Sequence, residues 1–223
     1  MILINWVQVL PYVILFLLNK WFFHFFNIEL STFYPFKPKE ANVLFLGQDM
    51  LYKLSVILSL SDLRQSISRN EMSSNTTPAS YLTSWVSCIG KIKFKFYDLG
   101  SHWIARRVWR DYSAKMDAVV YIVNANTKTR ERFSGPREEL SALLSDEAFA
   151  NVPFLIFCIT TAEPSSCPEE ELCSLLDLTN ITTGKGRVDL AVTNARPLEV
   201  FVAESCNKKQ YLDGFKWLSK YIK

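Results

Sequence analysis

Four short, largely apolar runs most constrain the fold of this chain. They are residues 42–47, 117–123, 152–159 and 198–202. Continuous apolar runs of this length are typical of strands buried on both faces of a parallel sheet. The segments between and after them predict helices at residues 54–63, 138–144, 169–176 and 211–222. Strands that alternate with helices predict an α/β fold, a doubly wound and mostly parallel sheet with right-handed connections.

A fifth strand is predicted inside the stretch KIKFKFYDLGSHWIARRVW at residues 91–109. Lysines alternate there with apolar residues, which predicts a half-buried strand, and residues 85–88 complete a hairpin about Ile89-Gly90. The strand ends at Asp98, and Gly100 and His102 follow before a helix-like pattern begins. Ligands bind at the carboxyl ends of strands in open α/β sheets, so these residues are site candidates. The pattern is equally consistent with an ordinary strand-loop-helix junction.

The first strand leads into GQDMLYKLS at residues 47–55, which partly matches the phosphate-binding loop G-x-x-x-x-G-K-[ST]. Gly47 and Lys53 fit this template. Tyr52 replaces the second glycine, which supplies a backbone conformation that a bulky residue adopts poorly. Leu54 replaces the hydroxyl that coordinates a hard cation, and Ser55 comes one position too late. As an isolated motif, this segment fails the template.

Composition narrows the function classes. The net charge is +3 and no basic run stands out, which argues against nucleic acid as a partner. The five cysteines form no C-x-x-C pair, and the chain has only two histidines. A metal cluster or a disulfide framework is therefore not predicted, and the thiols are expected to be reduced and mostly small core residues.

Residues 1–28 are almost entirely apolar and predict a membrane-associated helix. At helical pitch the polar residues form a narrow stripe, which leaves a wide apolar face for a lipid surface. The residues expected on that apolar face are Trp6, Val9, Leu10, Val13, Phe16 and Leu17. A membrane-spanning anchor and a helix packed into the core are the alternatives. Residues 29–40 are predicted to be a linker, which divides the chain into residues 1–40 and a domain at 41–223.

Six segments carry a family resemblance, and they are spread over the domain. They are IGKIKFKFYDLGSHWIARRVWRDY from Ile89, DAVVYIVNA from Asp117, ELSALLSDEAFANVPFLI from Glu139, LTNITTGKG from Leu178, ARPLEVF from Ala195 and GFKWLSKYI from Gly214. In these segments the domain resembles the Sar-type small GTPases, and the plant members of that family look most similar. The apolar N-terminal segment occupies the place of that family's membrane-inserting helix.

The resemblance implies a switch that binds GTP or GDP with Mg²⁺, and it assigns roles to particular residues. The implied nucleotide contacts are Gly47, Asp49, Lys53, Ser55, Gly100 and Ser101. Asp49 and Asp98 are the implied metal-site carboxylates, and His102 is the implied catalytic, water-orienting residue. Four positions depart from the family pattern: Tyr52 in the phosphate loop, Leu54 and Ala79 at the magnesium-binding hydroxyls, and Ala162 at the guanine-reading carboxylate.

The implied function is assembly of the COPII vesicle coat in transport from the endoplasmic reticulum to the Golgi. The implied location is peripheral, on the cytosolic face of these membranes. The implied partners are the membrane surface, Sec-type inner coat subunits and an exchange factor. The departures favour weakened or lost GTP binding and hydrolysis, with Lys53 and Asp49 as surface charges beside a vestigial loop. The alternatives are a slow GTPase in which Ser55, Asp49 and His102 compensate, and a membrane-spanning relative similar to the signal-recognition-particle receptor β subunit.

Overall fold

The computed structural model describes residues 38–61, 83–98, 109, 112–126, 129–161, 167–186 and 195–222. These ranges contain six strands, four α-helices and a short 3-10 helix. The strands are β1 (Lys39–Leu46), β2 (Thr83–Ile89), β3 (Ile92–Asp98), β4 (Ala118–Asn124), β5 (Phe154–Thr160) and β6 (Leu198–Glu204). The helices are α1 (Met50–Leu60), α2 (Arg130–Ser145), α3 (Glu169–Leu175) and α4 (Lys208–Leu218), with the 3-10 helix at Glu147–Phe149.

The strands form one sheet in the order β2-β3-β1-β4-β5-β6. β2 pairs antiparallel with β3, and the other pairings in this part of the chain are parallel. Side chains of α1 and α4 pack on one face of the sheet and those of α2 and α3 on the other. The predicted doubly wound, mostly parallel sheet is therefore confirmed. The predicted N-terminal helix lies outside the described residues.

An aromatic cluster holds α4 against the sheet. The Phe215 ring on α4 lies 5.3 Å from Phe94, 5.4 Å from Phe96 and 6.3 Å from Phe157, measured between ring centroids. The helix approaches closely because Gly214 has no side chain. A Cβ atom at that position would lie 2.5 Å from the Phe157 ring. The closing helix is therefore fixed over the centre of the sheet.

The hairpin strand β3 is half-buried, as its alternating pattern predicts. Phe94 and Phe96 face the core, whereas Lys93 and Lys95 bond to Glu40 on the neighbouring strand at 3.1 and 2.6 Å. These hydrogen bonds, first from Lys95 and then from Lys93, hold the pKa of Glu40 below its usual value.

The five cysteines are free thiols. Cys158 and Cys167 are buried and Cys173 is half-buried, whereas Cys88 and Cys206 are exposed. Burial raises the pKa of Cys158, which keeps this thiol protonated and unreactive.

Candidate functional site

The carboxyl ends of β1, β3, β4 and β5 lie at the same edge of the sheet, where β1 turns into α1. Gly47 makes this turn with a φ of +124°, a backbone conformation that residues other than glycine rarely adopt. A Cβ atom there would lie 2.3 Å from the carbonyl oxygen of Ile122 in β4. Close packing of β1 against β4 thus requires glycine at position 47, whatever ligand the turn binds.

The helix α1 begins at Met50, inside the segment that forms the loop in the phosphate-binding template. Met50, Leu51 and Tyr52 form its first turn, and Asp49 is the N-cap. Asp49 Oδ1 accepts hydrogen bonds from the backbone N-H groups of Leu51 at 3.1 Å and Tyr52 at 3.2 Å. A free helix N-terminus attracts phosphate because its N-H groups lack partners. Here the carboxylate of Asp49 already occupies two of these donors.

Lys53 of the phosphate-loop template and Asp98 at the end of β3 form a buried ion pair. Lys53 Nζ lies 2.7 Å from Asp98 Oδ1, and the exposed fractions of the two side chains are 0% and 6%. The expectation that Lys53 is a surface charge is therefore wrong. The pair ties the first turns of α1 to the end of β3, in the interior of the sheet edge.

A network of amides and hydroxyls joins α1 to the ends of β4 and β5. Asn126 Nδ2 donates to the Tyr52 hydroxyl, and Asn126 Oδ1 accepts from Thr161 Oγ1 at 2.8 Å. Asn124 Nδ2 donates to Asp49 Oδ2 at 3.2 Å. Sequence reasoning missed both asparagines, although their position directly after the predicted strand 117–123 was a usable signal.

The hydroxyl at Ser55 does not take the place of the one lost at Leu54. Ser55 Oγ donates to the Tyr52 carbonyl at 3.0 Å and lies 3.5 Å from the Tyr211 hydroxyl on α4. Leu54 packs half-buried against the core. The described donor set therefore does not fit a magnesium-bound nucleotide in the template geometry. The described residues also contain no cluster of three or more His, Cys, Asp or Glu placed to hold a metal ion.

A cavity of about 350 Å³ opens beside the first turn of α1, on the side of α2. Met50 and Leu51 line it and are 58% and 78% exposed. The apolar side chains of Met50 and Leu51 thus lie at the sheet edge where, in the phosphate-loop template, backbone N-H groups bind phosphate.

Several predicted site residues lie outside the described ranges. They are Gly100, Ser101 and His102, the departures Ala79 and Ala162, and the proposed membrane contacts Trp6, Val9, Leu10, Val13, Phe16 and Leu17. Within the described ranges, no helix is both long and apolar enough to cross a bilayer.

The fold and the sheet edge are those of a small GTPase-like domain, and comparisons with known proteins agree. A family profile described as "Arf: ADP-ribosylation factor family" matches residues 29–222. A solved structure described as the Arl6 BBS3 small GTPase from Trypanosoma brucei, with bound nucleotide analogue GppNp, is similar in fold. Its TM-score is 0.60, its identity is 20%, and the match covers 82% of this chain and 96% of that one.

Curated relatives narrow the class. A protein named "Small COPII coat GTPase SAR1" from Nicotiana tabacum is 40% identical over 190 residues, which are 83% of this chain and 91% of the relative. The protein of the same name from Giardia intestinalis is 32% identical over 86% of this chain and 94% of the relative. The chain therefore belongs to the Arf family and is a Sar-type small GTPase by sequence.

Proposed function

We propose that this protein is a Sar-like component of COPII coat assembly between the endoplasmic reticulum and the Golgi, with weakened or lost GTP binding and hydrolysis. It acts as a binding module rather than as a nucleotide switch. The similarity to proteins named as COPII coat GTPases supports the pathway. One observation carries the loss of nucleotide binding: α1 starts three residues before Lys53, and Asp49 caps its first turn.

The sizes of the losses support a large drop in affinity. A hydrogen bond to a charged group contributes about 1.5 to 3 kcal/mol, and about 1.4 kcal/mol corresponds to tenfold in affinity. The family's guanine-reading carboxylate is absent at Ala162, and Leu54 supplies no magnesium ligand. Together these losses are large enough to abolish a tight nucleotide site.

Equilibrium binding of fluorescent GTP and GDP, with Mg²⁺ and with a chelator, tests the proposal. We expect no binding in the submicromolar range in either condition. The SAR1 protein from Nicotiana tabacum serves as the positive control for the assay. Submicromolar, magnesium-dependent binding to the present protein would refute a lost nucleotide site.

A slow GTPase is the second candidate, and the retained Lys53 and Asp98 favour it. Their charged atoms lie 2.7 Å apart. In a slow GTPase, a bound nucleotide would separate these two side chains. In that case Asp49, Ser55 and His102 support the reaction, and phosphate release must fall in His102→Ala. Release that is indistinguishable from buffer in the wild-type protein excludes this candidate.

Residues 1–40 are proposed to attach the protein peripherally to the cytosolic face of endoplasmic reticulum and Golgi membranes. Sec-type inner coat subunits are the proposed partners, and an exchange factor is a partner only if nucleotide binds. Nucleic acid is not a proposed partner. Alkaline carbonate extraction distinguishes peripheral attachment from a membrane-spanning anchor, because carbonate releases a surface helix but not a spanning anchor.

A further inference from the structure

A cavity of about 500 Å³ lies at the end of the sheet opposite to the candidate nucleotide site. It opens beside Leu198, the first residue of β6, whereas Gly47 and Asp49 lie where the parallel strands end. Sites for small molecules have volumes of about 300 to 1,000 Å³, so the cavity is large enough for one. The residues used below from its lining are Leu144, Asn180, Ile181, Thr182, Arg196 and Leu198.

Arg196 brings a positive charge to this cavity, and that charge has no anionic partner among the described residues. Its Nη2 donates to the carbonyl of Leu144 at 2.6 Å, and its guanidinium carbon lies 5.4 Å from the centroid of the Phe154 ring. Its Nη1 is buried and has no hydrogen-bond partner in this part of the chain. A buried donor without an acceptor destabilises the folded state, so an anion beside Arg196 would supply both the acceptor and the charge.

Burial also lowers the pKa of the Arg196 guanidinium from its ordinary value. Arginine nevertheless stays charged at neutral pH. The lining of the cavity contains no carboxylate, and Arg196 is its one charged side chain among the residues that the structure describes. The cavity is therefore a partly desolvated, cationic site.

The loop at residues 180–183 forms the wall that faces Arg196. Hydrogen bonds fix this wall, since the backbone N-H of Thr183 donates to the Leu198 carbonyl at 2.8 Å and the Thr183 hydroxyl accepts from the Leu198 N-H at 3.2 Å. The side chains of Asn180 and Thr182 make no hydrogen bonds within the described ranges, so both are available to a ligand. Ile181 is 46% exposed and adds apolar surface to the lining.

We propose that this cavity binds a small organic carboxylate that carries a short apolar portion. A guanidinium matches the planar geometry of a carboxylate, and such charge-assisted hydrogen bonds are among the strong ones. Asn180 and Thr182 offer further donors, and Ile181 and Leu198 offer apolar contact. One arginine and this apolar surface suit a monoanion with a hydrocarbon portion better than a phosphate dianion. The inference does not depend on the function proposed above.

Equilibrium dialysis of radiolabelled hexanoate against the full chain tests the site. We expect saturable binding at one site with a Kd below about 1 mM, and no comparable binding of hexanol, which lacks the charge. Arg196→Gln keeps an amide donor but removes the positive charge. Its affinity for hexanoate should fall by about 10-fold to 100-fold.

Two substitutions of Ile181 form a matched pair that leaves Arg196 and its contacts in place. Ile181→Asp adds a negative charge to the lining, and it should weaken hexanoate binding by about fivefold through repulsion. Ile181→Asn has nearly the same size without the charge, and it should bind several-fold more tightly than Ile181→Asp. Because Ile181 is largely exposed, both variants should fold, and they decide the question even if Arg196→Gln does not.

Three results would overturn the proposal. Binding that does not saturate, or that is equal for hexanol, would mean that the cavity does not recognise a carboxylate. Equal affinities of the wild-type protein, Arg196→Gln and Ile181→Asp would place the bound hexanoate elsewhere on the protein. Displacement of hexanoate by inorganic phosphate at the same concentration would mean that the cavity takes an inorganic anion and not an organic carboxylate.

Discussion

Replacing Lys53 by methionine removes the cation from its buried ion pair with the Asp98 carboxylate. Both side chains are almost fully buried, and the two charged atoms are 2.7 Å apart. Removal of one partner from such a pair typically destabilises a protein by about 3 to 5 kcal/mol. We therefore expect a loss of this size in the free energy of unfolding of Lys53→Met, and a similar loss in Asp98→Ala.

The double variant K53M/D98L separates the pair from its individual charges. Replacing a whole buried ion pair by apolar residues is often nearly neutral or stabilising. We expect the double variant to be more stable than either single variant, with a coupling free energy of at least about 2 kcal/mol in a double-mutant cycle.

Urea unfolding followed by circular dichroism, with the slope checked for each variant, measures these free energies. Lys216→Met is the control, because its pair with Asp213 is exposed at 69% and 49%. This change should leave stability within error. If Lys53→Met costs less than about 1 kcal/mol, the side chain is not a buried, paired charge. The Lys53–Asp98 pair would then not stabilise this edge of the sheet.

Three further substitutions test the site and its surroundings. Gly47→Ala should destabilise the fold by several kcal/mol, because the added methyl meets the Ile122 backbone at a positive φ; thermal and urea unfolding measure it. Asp49→Ala should lower the free energy of unfolding by about 1 kcal/mol, because the N-cap of α1 is lost. Asp49→Asn should retain most of the capping stabilisation. Glu199→Gln should raise stability above about pH 4.5, measured by unfolding across pH, because burial raises the pKa of this carboxyl from its ordinary value of 4.5.

The sign of the Glu199 effect follows from the direction of its pKa shift. A carboxyl whose pKa is raised on folding stabilises the folded state fully below the unfolded value, and this contribution is lost as the pH rises through the folded value. Wild-type protein and Glu199→Gln should therefore converge at low pH and separate above it. A constant difference at every pH would contradict the buried-carboxyl interpretation. Equal losses in Asp49→Ala and Asp49→Asn would contradict capping, and an unchanged Gly47→Ala would contradict the close approach to β4.

The sheet was predictable because its signals are local. The apolar runs at 42–47, 117–123, 152–159 and 198–202 became β1, β4, β5 and β6. Their length and largely apolar character predict strands buried on both faces, and the intervening helices require parallel connections. The alternation at 91–97 likewise identified β3, since its period of two is a property of any half-buried strand.

The departures from the phosphate-loop template were also visible in the sequence. Tyr52 and Leu54 are the wrong residue types for a glycine turn and a magnesium ligand, whatever structure surrounds them. The template did not indicate what would replace the loop. Without the second glycine, Met50 to Tyr52 can enter a regular helix, and Asp49 is a favourable N-cap for it.

The sequence by itself thus determined the fold class, the family and the departures from the phosphate-loop template, because these depend on residue type and local period. Only the tertiary structure decided that Lys53 is buried against Asp98, 45 positions away. It also brought Asn126, two residues beyond the end of β4, to Tyr52, and the lysines of α4 to the β2-β3 hairpin. Such contacts depend on how strands and helices distant in sequence pack together, and no local pattern records that arrangement.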